Sequence, residues 1–131
     1  STAWQHIRVG AARRGAICRM RIDLPWPPSV NRYWRNWRGR IVISAEGRAF
    51  RESVRALHAN ADTFGPDVRL LVAVDVYPPD RRKRDIDNLM KATLDALEGC
   101  VFEDDNQVDH LVIIRREVRP GGALEVEIDP I

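Results

Sequence analysis

Asp85 and Asp87 stand two residues apart, directly behind four consecutive basic residues, Arg81, Arg82, Lys83 and Arg84. In extended backbone, residues i and i+2 point to the same side about 6–7 Å apart, so both carboxylates can converge on one cation. Lys91 follows Asp87 by four residues, about one helical turn. A second acidic group, Glu103-Asp104-Asp105, comes 18 residues after Asp85-Ile86-Asp87, where a loop between a helix and a strand can fold back towards the first. Carboxylates without histidine or cysteine suit hard cations such as magnesium or manganese. Such ions support phosphodiester hydrolysis, activating water on one side and steadying the leaving oxygen on the other. A lysine at the rim would stabilise charge on the phosphate, and the Arg81–Arg84 run would hold the flanking backbone.

Each motif alone has a plainer account. An aspartate before a helix is often an N-cap with a favourable dipole contact. A basic run is usually a solvated loop, and Glu-Asp-Asp is a common turn. Together they weigh more, because convergent carboxylates repel by about 4 kcal/mol per pair at ~4 Å and an effective dielectric near 20. A bound metal removes that cost.

The elements that must carry these residues can be read from pattern. Residues 17–24 suit a strand, ended by Pro25-Trp26-Pro27-Pro28. Residues 40–44 read as a short strand, and Ser44 as the N-cap of a helix over about 45–60 with Phe50, Val54 and Leu57 inward. Residues 68–77, apolar nearly throughout, read as a central strand that Pro78-Pro79 stops. A second helix from Asp87 to about Glu98 would turn Met90, Leu94 and Leu97 to the core, with Gly99 behind it. Residues 110–118 and 123–129 read as strands joined in a hairpin by Pro120-Gly121-Gly122. The expected fold is α+β: one small domain, a mixed or antiparallel sheet and two main helices. Residues 1–19 read as a poorly ordered extension and 20–131 as the domain.

The bulk numbers agree with one core in 131 residues that are 44% hydrophobic. Net charge is only +2, but it is unevenly spread. The first 60 residues hold twelve arginines against three acids, and the rest hold nine basic groups against sixteen acids. That asymmetry suggests a polyanion held by one part of the chain and an acidic site in the other. Cys18 and Cys100 are too few for a disulfide framework and read as reduced thiols in a cytoplasmic protein. No apolar run reaches the ~20 residues of a membrane span. No glycine-rich phosphate loop or nucleophile triad stands out.

The motifs in combination resemble the RusA-type Holliday junction resolvases, the crossover junction endodeoxyribonucleases. The resemblance rests on LPWPPSVNRYWR, SAEGRAFR, PDRRKRDIDNLMKATLDAL, EDDNQVDHLVIIR and GGALEVEI, in the family's order over about residues 20–129. It implies a homodimer that binds four-way DNA junctions and nicks two strands symmetrically with magnesium or manganese, in recombination and repair. It puts the three essential carboxylates on Asp85, Asp87 and Asp105 and the active-site lysine on Lys91. A non-catalytic junction-binding module and a metal-dependent nuclease with another branched substrate are the rival readings. The segment Asn31–Arg40 interleaves Tyr33, Trp34 and Trp37 with Arg32, Arg35, Arg38 and Arg40. Arginines on phosphates and an aromatic stacked on an unpaired base would make it a DNA contact. Alternatively Tyr33 or Trp34 plugs the core and the arginines are merely exposed.

Overall fold

The first strand, β1 (Met20–Pro25), turns Ile22 and Leu24 inward and Arg21 and Asp23 outward, the period of two that a half-buried strand requires. This computed structural model describes residues 19–58 and 63–131. The expected extension 1–19 lies outside the described residues except for Arg19, and Cys18 lies outside them too. In chain order there follow α1 (Val30–Tyr33), β2 (Trp34–Trp37), β3 (Arg40–Ile43), α2 (Ala45–Leu57) and β4 (Leu70–Tyr77). A 3-10 turn (Ile86–Leu89) leads into α3 (Met90–Leu97), another (Asp105–Gln107) into β5 (Val108–Arg115), and β6 (Ala123–Pro130) ends the fold.

Four strands form one sheet in the order β1-β6-β4-β5, and β2 and β3 form a separate two-stranded ribbon. Leu70 to Val76 of β4 are all buried, so this strand needs cover on both faces and partners on both edges. It pairs antiparallel with β6 on one edge and parallel with β5 on the other. The expected hairpin between the last two strands is therefore not formed, because β4 lies between them. The cause is α3, which returns the chain across the sheet so that β5 must run parallel to β4 at the outer edge. The connection to β6 then passes the end of β4. Arg116 N–H donates to the Val76 carbonyl and Arg119 N–H to that of Pro78, each at 2.8 Å. The Arg116 guanidinium also pairs with buried Asp75 at 2.8 Å. The α+β class holds, with a mixed sheet.

Ser44 caps α2 as expected, its Oγ accepting from Gly47 N–H at 2.9 Å. The buried stripe runs through Phe50, Val54 and His58, a step of four each time. Leu57 falls off that stripe and is 59% exposed, a correction to the expected core set. Met90 and Leu97 of α3 are buried and Leu94 half-buried. The main core lies between α2, α3 and one face of the sheet, where Leu70, Val72, Val74, Val76, Leu124, Val126 and Ile128 converge.

Candidate metal centre and nucleic-acid face

Beyond β4 the chain is pinned before it reaches the first acidic pair. The Asp80 carboxylate accepts from Arg82 N–H at 2.9 Å and pairs with the guanidinium of Arg84 at 2.7 Å and that of Arg82 at 3.3 Å. The Arg84 hydrogen bond, then the Arg82 N–H, hold the Asp80 carboxyl down at about 2. The Arg84 carbonyl accepts from the Arg115 guanidinium at 2.6 Å, and its own guanidinium lies 5.7 Å from the Trp26 ring. Of the basic run, Arg82 and Arg84 thus meet Asp80; Arg81, Arg82 and Lys83 are exposed and Arg84 is half-buried.

This loop delivers Asp85 in extended backbone (φ −85°, ψ 129°) at the N-cap of the first 3-10 turn, with Asp87 in that turn. The Asp85 side chain makes no cap hydrogen bond, so helix capping does not account for it. Asp85, Asp87 and Lys91 are all exposed at this end of α3.

The second acidic group is built at the other end. Asp104 Oδ1 accepts from Asn106 N–H at 2.9 Å, and Gln107 Oε1 accepts from Glu103 N–H and Asp104 N–H at 2.9 and 3.0 Å. The Gln107 amide donates to the carbonyls of Gly65 (2.7 Å) and Val68 (2.9 Å), so a buried glutamine with four bonds fixes the loop. Glu98, just past α3, accepts from Asp105 N–H at 3.1 Å. One carboxylate oxygen from each of Glu98, Asp104 and Asp105 lies within 4.8 Å of the others, the one such group of three among the described residues. An all-oxygen donor set with two exposed members fits a hard divalent cation.

Among the described residues, Asp85 and Asp87 are not part of the group within 4.8 Å that Asp105 forms with Glu98 and Asp104. The helix between two parallel strands must start at one end of the sheet and finish at the other, and the 3-10 turn plus α3 rise by about 20 Å. The expected fold-back of the acidic loop gives way to this crossover. Sequence reasoning missed Glu98 and Gln107. Asp104-x-x-Gln107 is a capping-box pattern and could have exposed the second; Glu98 had no signal beyond its charge.

The arginine-aromatic segment divides in two. Tyr33 is fully buried, its hydroxyl donating to Asp95, which also takes Arg51 at 2.7 Å. Burial first, then the Asp95 contact, pushes the Tyr33 hydroxyl up to about 12. Trp34 packs edge-on against it, ring centres 4.9 Å apart. These two are core plugs. Arg32 is exposed at the rim of a cleft of about 730 Å³ that Trp26, Phe50, Asp80, Arg82 and Arg84 also line. Arg35 and Arg38 are exposed on the ribbon, together with Trp37.

The family model for endodeoxyribonuclease RusA matches residues 25–129. A crossover junction endodeoxyribonuclease RusA of Shigella sonnei (strain Ss046) is 46% identical over 109 residues, 82% of this chain and 91% of the relative. Proteins so named from Escherichia coli (strain K12) and Enterobacteria phage 82 are each 45% identical over the same shares. With residues 25–129 matched, from the end of β1 to all but the last residue of β6, and a relative 46% identical over 82% of the chain, the chain belongs to the RusA family of endodeoxyribonucleases.

Proposed function

We propose that the chain is a divalent-metal-dependent endonuclease that resolves four-way DNA junctions, acting as a homodimer. The observation that carries this reading is the exposed pair Asp85 and Asp87, uncommitted to helix capping and set behind exposed Arg81 and Lys83. The names of the relatives, crossover junction endodeoxyribonucleases, give the substrate class. Asp85, Asp87 and Asp105 would hold magnesium, or manganese in its place. The bound ion would supply a water acidic enough to attack phosphate and would steady the leaving oxygen.

Within this reading Lys91 faces the charge that builds on the phosphate, one turn from Asp87. Arg81, Arg82, Lys83 and Arg84 hold the backbone on one side of the cut, and Arg32, Arg35 and Arg38 hold it further off. The separation of Asp105 from Asp85 and Asp87 in one copy supports a centre shared between two. One copy then gives Asp85, Asp87 and Lys91, and the other gives Asp105. Two such centres related by a twofold axis suit paired nicks in a branched substrate of matching symmetry.

The test is nicking of a synthetic four-way junction with magnesium, manganese or calcium. Magnesium and manganese should support paired cuts leaving 5′-phosphate and 3′-hydroxyl ends, and Asp85→Asn should slow them by more than about a hundredfold. Junction binding with no cutting in any metal would instead make the chain a binding module.

A further inference from the structure

The β2–β3 ribbon stands apart from the sheet, and its tip breaks a backbone rule. Its strands join through the two residues Arg38 and Gly39, both at positive φ (49° and 75°), as in a type I′ turn. Glycine or asparagine suits the first of these positions, and a left-handed arginine costs about 1 kcal/mol. What the arginine does there is visible. Its guanidinium lies 4.6 Å from the Trp37 ring centre and covers one face of the indole.

The cross-strand pairs Trp37–Arg40 and Arg35–Val42 put Arg35, Trp37 and Arg40 on one face of the ribbon. Trp37 is 46% exposed, and Arg35, Arg38 and Arg40 around it are exposed as well. On the opposite face Ile41, also near the tip, is 73% exposed. A large apolar surface ringed by cations is poor at binding proteins of like charge and good at taking a planar base beside a phosphate. An apolar side chain on a protruding element can also wedge between base steps.

The root of the ribbon is rigid. Tyr33 is buried and bonded to Asp95 of α3, and Ser44 closes the other end through its N–H to the Tyr33 carbonyl (2.9 Å) and its Oγ to that of Arg32 (2.6 Å). A methyl group at Gly47 would lie 2.6 Å from the Tyr33 carbonyl oxygen, so the contact admits only glycine. The ribbon is thereby mounted on the helix whose first turn carries Lys91.

We propose that Trp37, with one indole face covered by Arg38, stacks its other face on an unpaired base at the branch point of the DNA, and that the ribbon thereby sets the preference for branched over linear duplex. This rests on the reading of the chain as a junction endonuclease.

The probe is a synthetic four-way junction carrying 5-iodouracil at the branch, irradiated with the protein in calcium so that no cutting interferes. The crosslink should map to Trp37. Trp37→Ala should weaken junction binding about tenfold and leave linear duplex binding unchanged, with Trp37→Phe in between. A crosslink elsewhere, or equal loss on junction and duplex, overturns the stacking role. If the parent protein binds junction no better than duplex, the substrate reading itself fails. The crosslink is read on the unmutated protein, so it stands even where the alanine variant folds poorly.

Discussion

A single side chain, Gln107, shows how much of the site depends on atoms that do no chemistry. Its amide satisfies two backbone N–H groups of the acidic loop and two carbonyls of the segment before β4, inside the protein. Gln107→Ala removes all four bonds that the buried amide makes to part-buried backbone groups, which should cost about 3 kcal/mol. Urea unfolding should show that loss, and manganese titration should show weaker binding, because Glu98, Asp104 and Asp105 lose their common frame. Asp85 is the opposite case. It is exposed and makes no cap bond, so Asp85→Asn should leave the metal-free melting temperature within about 2 °C of the parent. A large drop would mean that Asp85 is structural and that its assignment to the metal is wrong.

Among elements, α3 has the most to do. It forces the parallel pairing of β4 and β5, carries Lys91 at its start, and holds Asp95 for Tyr33 and Arg51. The Tyr33 hydroxyl makes this tie sensitive to alkali. Folded Tyr33 keeps its proton to about 12, while an unfolded tyrosine ionises near the ordinary 10.0. The folded pKa is the higher, so the contribution is whole below pH 10 and is lost as pH rises towards 12. Urea midpoints should therefore fall between pH 10 and 12, and Tyr33→Phe should flatten most of that fall. Tyr77, raised by burial and then by Glu125, accounts for a remainder. An unchanged slope in Tyr33→Phe would place the alkaline loss elsewhere.

For the whole molecule the decisive question is whether one centre draws on two copies. Asp85→Asn and Asp105→Asn should each be inactive alone. Co-expressed, they should recover cutting, because half the dimers are mixed and each mixed dimer has one intact shared centre, about a quarter of the parent's number. The recovered product should carry single nicks, and manganese bound per chain should recover by the same share. No recovery in proven mixed dimers would place the whole centre in one copy. Charge across the molecule has its own readout. Arg81→Ala and Lys83→Ala should each lower the slope of log affinity against log salt by about 0.9 if each neutralises one phosphate. A flat salt response of the parent would remove phosphate clamping altogether.

The sequence alone placed five of the six strands and the two longer helices to within a few residues, the central position of β4, the Ser44 cap and the family motifs, because period, breakers and caps are local; it did not show α1 or β2, whose short, arginine-rich segment has no clear period. It marked Asp85, Asp87, Lys91 and the group Glu103-Asp104-Asp105 as chemically apt by residue type and spacing, and the family resemblance picked Asp105 from that group. It left open which aromatic plugs the core, and the tertiary structure decided for Tyr33 and Trp34 while exposing Trp37. It joined the last two strands in a hairpin, and the structure put β4 between them. The reason is the same in each case. Pairing partners and the distance between remote acids follow from how α3 crosses the sheet, and a crossover is a global choice that no local pattern encodes.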